Sequence, residues 1–94
     1  MEKYLVTRCK NYAKRNNWFY LKLSDKSTLG IPDSFFLKGG RSIWIEFKSP
    51  DDKRKNSLQK WTIEQISKHG GEAYFGVSSF EIFKLIIDNT YTQI

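Results

Sequence analysis

The sequence predicts an α+β fold, an α/β sandwich in which three helices pack on a mixed central sheet in the order αβββαβα. Apolar residues recur at helical spacing near the N-terminus, two strand-like runs flank Gly39-Gly40, and the pattern then switches from helix to short strand to helix. A chain of 94 residues suits a single domain spanning 1–94. Its core lies at the small end of the range, where association of copies often adds buried area.

Residues 2 to 16 read as the first helix, because Leu5, Cys9, Tyr12 and Ala13 share a stripe with basic residues between them, and Asn16-Asn17 marks its end. "WFYLKLS", residues 18 to 24, is aromatic and alternates toward its end as a strand does; "DKSTLG" follows as a polar loop. Ile31-Pro32 forces an extended entry into the next element. Residues 33 to 38 and 41 to 48 form a hairpin, with Gly39-Gly40 supplying the positive φ angles of a two-residue type I′ turn. "SPDDKRKN" is a charged loop. Residues 57 to 69 make the second helix, with Leu58, Trp61, Ile63 and Ile66 available for packing and Gly70-Gly71 ending it. "EAYFGV" is a short strand, and "SSFE" offers a capping box, Ser78 with Glu81, that opens a third helix over "FEIFKLIID". The tail from Asn89 is expected to fray. The sequence holds no repeat, linker or low-complexity segment.

Composition narrows the function classes. Sixteen Lys and Arg against ten Asp and Glu give a formal charge of +6, which favours polyanionic partners such as nucleic acid or simply describes a soluble basic surface. One cysteine cannot close an internal disulfide, so a cytoplasmic setting is expected. No charged start leads into an apolar run, and no apolar run spans a bilayer, so neither an export signal nor membrane insertion is expected. Cys9 and the single His69 cannot assemble a Cys/His zinc site. Any metal must be held by carboxylate oxygens, which points to magnesium or manganese.

Those carboxylates lie in the hairpin. With Gly39-Gly40 as the loop, Lys38 faces Arg41 and Asp33 falls directly opposite Glu46. Directly opposed residues point to one face with Cβ atoms about 4.5–5.5 Å apart, within reach of a single cation. Alternation puts Trp44, Glu46 and Lys48 on this face and Ile43, Ile45 and Phe47 on the other, so the hairpin has one core face and one chemical face. A one-residue bulge would break the register. An ordinary surface hairpin, with Lys48 neutralising Glu46, is the plainer account, but like charges directly opposite each other are disfavoured without a reason.

Two further residues read two ways. Glu2 lies on the apolar stripe of the first helix and so faces inward, or it complements the helix dipole from the first turn. Gln59, third after Asn56, closes a capping box or serves a site, and the two roles are compatible.

"PD" at 32–33 followed by "EFK" at 46–48 resembles the PD-(D/E)xK nuclease superfamily. The longer series is similar to its VRR-NUC branch, in the standalone, phage-type, junction-resolvase-like form: an acid on the first helix, "GIPDSFFL", a Gly-Gly turn, "IWIEFKSP", a basic loop, Gln59 on the next helix and "GGEAYFGVSS". The resemblance covers nearly the whole chain. It implies a restriction-endonuclease-like core, with Asp33, Glu46 and the backbone carbonyl of Phe47 as ligands to Mg2+, for which Mn2+ substitutes. It further implies that Lys48 positions or deprotonates the attacking water, that Glu2 holds a metal-bound water or completes the ligand set, and that Gln59 stands near the site. Lys22 takes the place of a basic residue on the preceding strand. "PDDKRKNSLQ" departs from the Gly-rich, less acidic connection expected of the family: Asp51-Asp52 puts the loop's DNA contacts in question, although Lys53, Arg54 and Lys55 remain available.

Phosphodiester hydrolysis needs a water made nucleophilic at neutral pH and a cation on the developing charge, and a divalent metal supplies both. The resemblance implies an endonuclease leaving 5′-phosphate and 3′-hydroxyl ends. It also implies a homodimer acting on branched DNA such as four-way (Holliday) junctions, no organic cofactor, and the cytoplasm of a bacterial host if the chain is phage-encoded. A nicking or flap nuclease, a nucleic-acid-binding module that has lost catalysis, and a basic scaffold are the rivals. The spacing of Asp33, Glu46 and Lys48 argues against the binding module, since binding alone requires none of it, and the scaffold has only composition behind it.

Overall fold

The computed structural model describes residues 2–23, 30–49 and 57–91, and of Glu2 and Lys3 the backbone only. Its elements follow the expected order: α1 (Glu2–Arg15), β1 (Phe19–Lys22), β2 (Ser34–Lys38), β3 (Arg41–Phe47), α2 (Ser57–Lys68), β4 (Glu72–Val77) and α3 (Phe80–Ile87). The four strands form one sheet in the order β1-β2-β3-β4, antiparallel except for the parallel β3–β4 pair, so the sheet is mixed.

All three helices end in the same way. After α1, Trp18 N–H donates to Ala13 O at 2.9 Å and Asn17 N–H to Lys14 O at 3.1 Å, with Asn17 at a φ of 67°. Gly71 to Ile66 and Gly70 to Ser67 repeat the pattern after α2, as do Thr90 to Leu85 and Asn89 to Ile86 after α3. These paired bonds satisfy the last carbonyls of each helix through a left-handed residue that only Gly or Asn adopts readily. Of the tail expected to fray, Tyr91 packs edge-on against Tyr74 with ring centroids 5.8 Å apart, and residues 92–94 lie outside the described residues.

The start of α3 differs from expectation by one residue. Ser79, not Ser78, is the N-cap: its hydroxyl accepts the Ile82 N–H at 3.1 Å. Glu81 is then the second helical residue, one short of the position a capping box requires, and acts only as a charge near the positive helix end.

Around Gly39 and Gly40, at φ 56° and 84°, the hairpin register runs from Lys38↔Arg41 to Ser34↔Ile45. The core lies on one face of the sheet, where Phe36, Ile43, Ile45 and Phe47 meet Cys9 and Ala13 of α1 and Phe83, Ile86 and Ile87 of α3. On the other face α2 covers β4 through a narrow stripe on which Gln59 and Ile63 are buried. Leu58 and Trp61, expected to pack, flank that stripe and are 49% and 56% exposed. Among the described residues nothing covers the β1–β2 half of this face, where Phe19, Leu21 and Leu37 are exposed beside the tilted Phe35–Trp44 pair.

Arg41, at the turn end of β3, closes the fold over long sequence separations. Its Nε and Nη2 donate to the two carboxylate oxygens of Glu72 at 2.9 and 2.6 Å, while Nη1 and Nη2 also donate to the carbonyls of Ile87 and Ile86 at the end of α3. Tyr74 Oη–H donates to the same carboxylate at 2.7 Å. Burial works to raise the Glu72 pKa, but the hydrogen bonds from Arg41 and Tyr74 and the guanidinium charge outweigh it and hold the pKa below its ordinary value. Burial and the same carboxylate push the Tyr74 phenol up to about 12.

Candidate active site

The chemical face of the hairpin begins one residue before β2. Continuing the ladder from Ser34↔Ile45 brings Asp33 opposite Glu46, and two hydrogen bonds lace the pair together. Asp33 N–H donates to Glu46 Oε1 at 3.1 Å, and Phe47 N–H donates to Asp33 Oδ2 at 3.2 Å. Ser34, itself buried, donates its hydroxyl to Asp33 Oδ1 at 2.8 Å. Glu46 is only 7% exposed. Backbone and hydroxyl donors thus help to orient the two acids.

The chain bends at Asp33 as it enters β2, and its approach has a local cause. Pro32 fixes the preceding residue in extended conformation, and Leu23 N–H donates to Asp33 O at 2.9 Å, which ties the acid to the end of β1. α2 lies against this approach, since a Cβ at Gly30 would fall 2.5 Å from Leu58 Cγ.

Lys48 follows two residues after Glu46 and keeps the face of the strand, its N–H donating to Val77 O at 2.9 Å. Its Nζ lies 5.4 Å from the centroid of the Phe75 ring. Phe75 is the register partner of Glu46, but the next pair is Phe47↔Val77. Gly76, at a φ of 79°, is the extra residue of a β-bulge. This irregularity is not visible in the sequence, where "EAYFGV" reads as an unbroken strand.

Gln59 is 4% exposed, and its Oε1 has no hydrogen-bond partner among the described residues. That oxygen is the atom a capping box would use, and the cap residue of such a box, Asn56, lies outside the described residues. Lys22 is exposed at the end of β1 opposite Ser34, and therefore leaves the sheet from the core side rather than from the face of the acids. The Glu2 side chain and all of Lys53, Arg54 and Lys55 lie outside the described residues, as do Asp51 and Asp52.

The donor set fits a hard divalent cation. Two neighbouring carboxylates suit magnesium or manganese, which bind through one or two carboxylates and keep several waters. Among the described residues no group of three or more His, Cys, Asp or Glu side chains gathers to hold an ion, and the Glu2 side chain lies outside them.

A solved structure described as a VRR_NUC domain superposes on this chain with a TM-score of 0.77 at 25% sequence identity, covering 96% of this chain and 97% of that one. The chain has the fold of a VRR-NUC domain. At the level of sequence, no family model and no curated protein matches it. Near-complete coverage in both directions means that the hairpin, α2 and β4 are all part of the shared architecture. The VRR-NUC fold makes the chain a nuclease-fold domain, and the Asp33–Glu46 pair lies within that shared fold. Among the described residues no helix is long and apolar enough to cross a membrane.

Proposed function

We propose that this VRR-NUC domain is a single-domain, metal-dependent endonuclease that hydrolyses phosphodiester bonds of DNA, with Mg2+ or Mn2+ held by Asp33, Glu46 and the Phe47 carbonyl and with Glu2 completing the set. The observation that carries the reading is the interlacing of Asp33 and Glu46, in which a buried glutamate is turned toward a second acid by that acid's own N–H. Two acids so close disfavour each other unless a cation joins them. A bound divalent ion supplies a nucleophilic water at neutral pH and neutralises charge on the phosphate.

The chain's own residues do the rest. Ser34 and the Phe47 N–H hold both Asp33 oxygens in place, which keeps the carboxylate from rotating away when substrate arrives. Lys48, on the same face and two residues along, orients or deprotonates the attacking water and places positive charge beside the scissile phosphate. Gln59 offers a buried acceptor that fixes a water or a substrate group. Lys22, Lys53, Arg54 and Lys55 contact the DNA backbone, a role consistent with the formal charge of +6. The preferred substrate is branched DNA such as a four-way junction, cut by a homodimer that sets one site on each of two strands. The exposed Phe19, Leu21 and Leu37 face offers apolar surface for such pairing.

A panel of linear, nicked, flap and four-way DNA with magnesium, comparing wild type with Lys48→Ala, tests the reading. Wild type cleaves the branched substrate and Lys48→Ala loses on the order of 10²–10³ in rate while still binding it. Junction binding without cleavage in either magnesium or manganese overturns the nuclease in favour of a binding module. A monomer at all concentrations removes coordinated two-strand cutting and leaves nicking or flap cleavage.

A further inference from the structure

Phe75 and Val77 are two residues apart on one strand, and regular alternation would point both to the same face. They do not share a face. Val77 is buried in the core beside Phe47, its register partner, whereas Phe75 is paired with Glu46 on the chemical face. Gly76 makes this possible: with its φ of 79° it takes up the extra residue of the bulge and reverses the alternation between its neighbours. The ladder up to Glu46 sets the Phe75 ring beside the acids, with the Lys48 ammonium 5.4 Å from its centroid, and the bulge after it returns Val77 to the core. Bulges of this kind re-aim side chains next to active sites.

We propose that Phe75 is a positioning residue for Lys48: the regular ladder up to Glu46 sets the ring on the face of the acids, and its face holds the ammonium in line with the reacting phosphate. The proposal rests on the nuclease reading above and names a residue outside its ligand set. An ammonium over a ring face is held electrostatically in one direction, which shortens the search of a four-carbon side chain with many rotamers. Ordering the lysine in this way acts on turnover and not on DNA affinity, because the lysine's partner is the reacting centre.

The test compares Phe75→Leu, which keeps apolar bulk, with Phe75→Tyr, which keeps the ring. Phe75→Leu lowers kcat about 3- to 30-fold with KM for DNA unchanged, and Phe75→Tyr stays within about twofold of wild type. In the metal-free protein, NMR shows the Lys48 ε-methylene resonances shifted upfield by the ring, retained in Phe75→Tyr and lost in Phe75→Leu. Equal losses of kcat in both variants, a change confined to KM, or unshifted Lys48 resonances in wild type overturns the proposal. Wild type that cuts no DNA overturns the nuclease reading and the kinetic role with it, while the NMR contact is scored separately.

Discussion

The backbone N–H of Asp33 donates to Glu46 Oε1, and the carboxylate of Asp33 in turn accepts the N–H of Phe47, the residue after Glu46. Each acid is therefore held by the other's stretch of strand, and neither can be moved without disturbing its partner.

Neutralising either acid separates function from folding. Asp33→Asn and Glu46→Gln keep shape and remove charge, so both lose calorimetric magnesium binding and at least about a hundredfold in cleavage, with thermal stability equal to wild type or higher. Ser34→Ala leaves both acids in place but frees Asp33 Oδ1. It weakens metal affinity by about 10- to 100-fold, measured by titration with manganese.

Gln59→Leu replaces a buried acceptor that lacks a partner among the described residues with an apolar group of similar size. Removing an unsatisfied buried oxygen stabilises the fold by about 1–2 kcal/mol in chemical denaturation, while cleavage falls. Loss of stability without loss of activity would assign Gln59 to packing alone.

The Arg41–Glu72 pair predicts an acid-sensitive fold. Because the pKa of Glu72 is depressed in the native state, its contribution is complete above the usual glutamate pKa of about 4.3 and is lost as pH falls through the lower native value. Denaturation midpoints of wild type drop through this window, whereas those of Glu72→Gln are flatter. Arg41→Met costs about 2–3 kcal/mol at neutral pH, since it also strips the donors from Ile86 O and Ile87 O.

Burial pushes the Cys9 thiol up to about 12. The native thiol is therefore inert to a disulfide reagent at pH 8 and reacts only on unfolding. With a raised native pKa, the neutral thiol contributes stability that is whole below about pH 8.5 and is lost as pH climbs toward 12.

The hairpin was legible in the sequence because two independent signals agree on it: the Gly-Gly turn and the alternation of Ile43, Ile45 and Phe47 fix the same register, and with it the meeting of Asp33 and Glu46. Helix boundaries were legible where Asn or Gly punctuates them. Two adjacent serines made the cap of α3 ambiguous by one residue, and only backbone geometry selects Ser79. Leu58 and Trp61 looked like core because helical spacing locates a stripe without its width. The Arg41–Glu72 clamp joins residues 31 apart in the chain, beyond any local pattern. The Gly76 bulge was invisible for a different reason: a glycine within an apolar strand carries no sign of which residue the partner strand will skip.

The two-residue turn imposes a parity rule on the chain. Asp33 and Glu46 are 13 positions apart, and residues opposed across such a turn are always separated by an odd number. A single insertion or deletion on either arm would slide the acids out of opposition and turn the core face of that arm to solvent. Lengthening both arms together near Gly39-Gly40 would leave the site untouched. Related chains that keep the pair can therefore vary this hairpin only in steps of two, so the meeting of the acids is written in the count of residues between them as much as in the acids themselves.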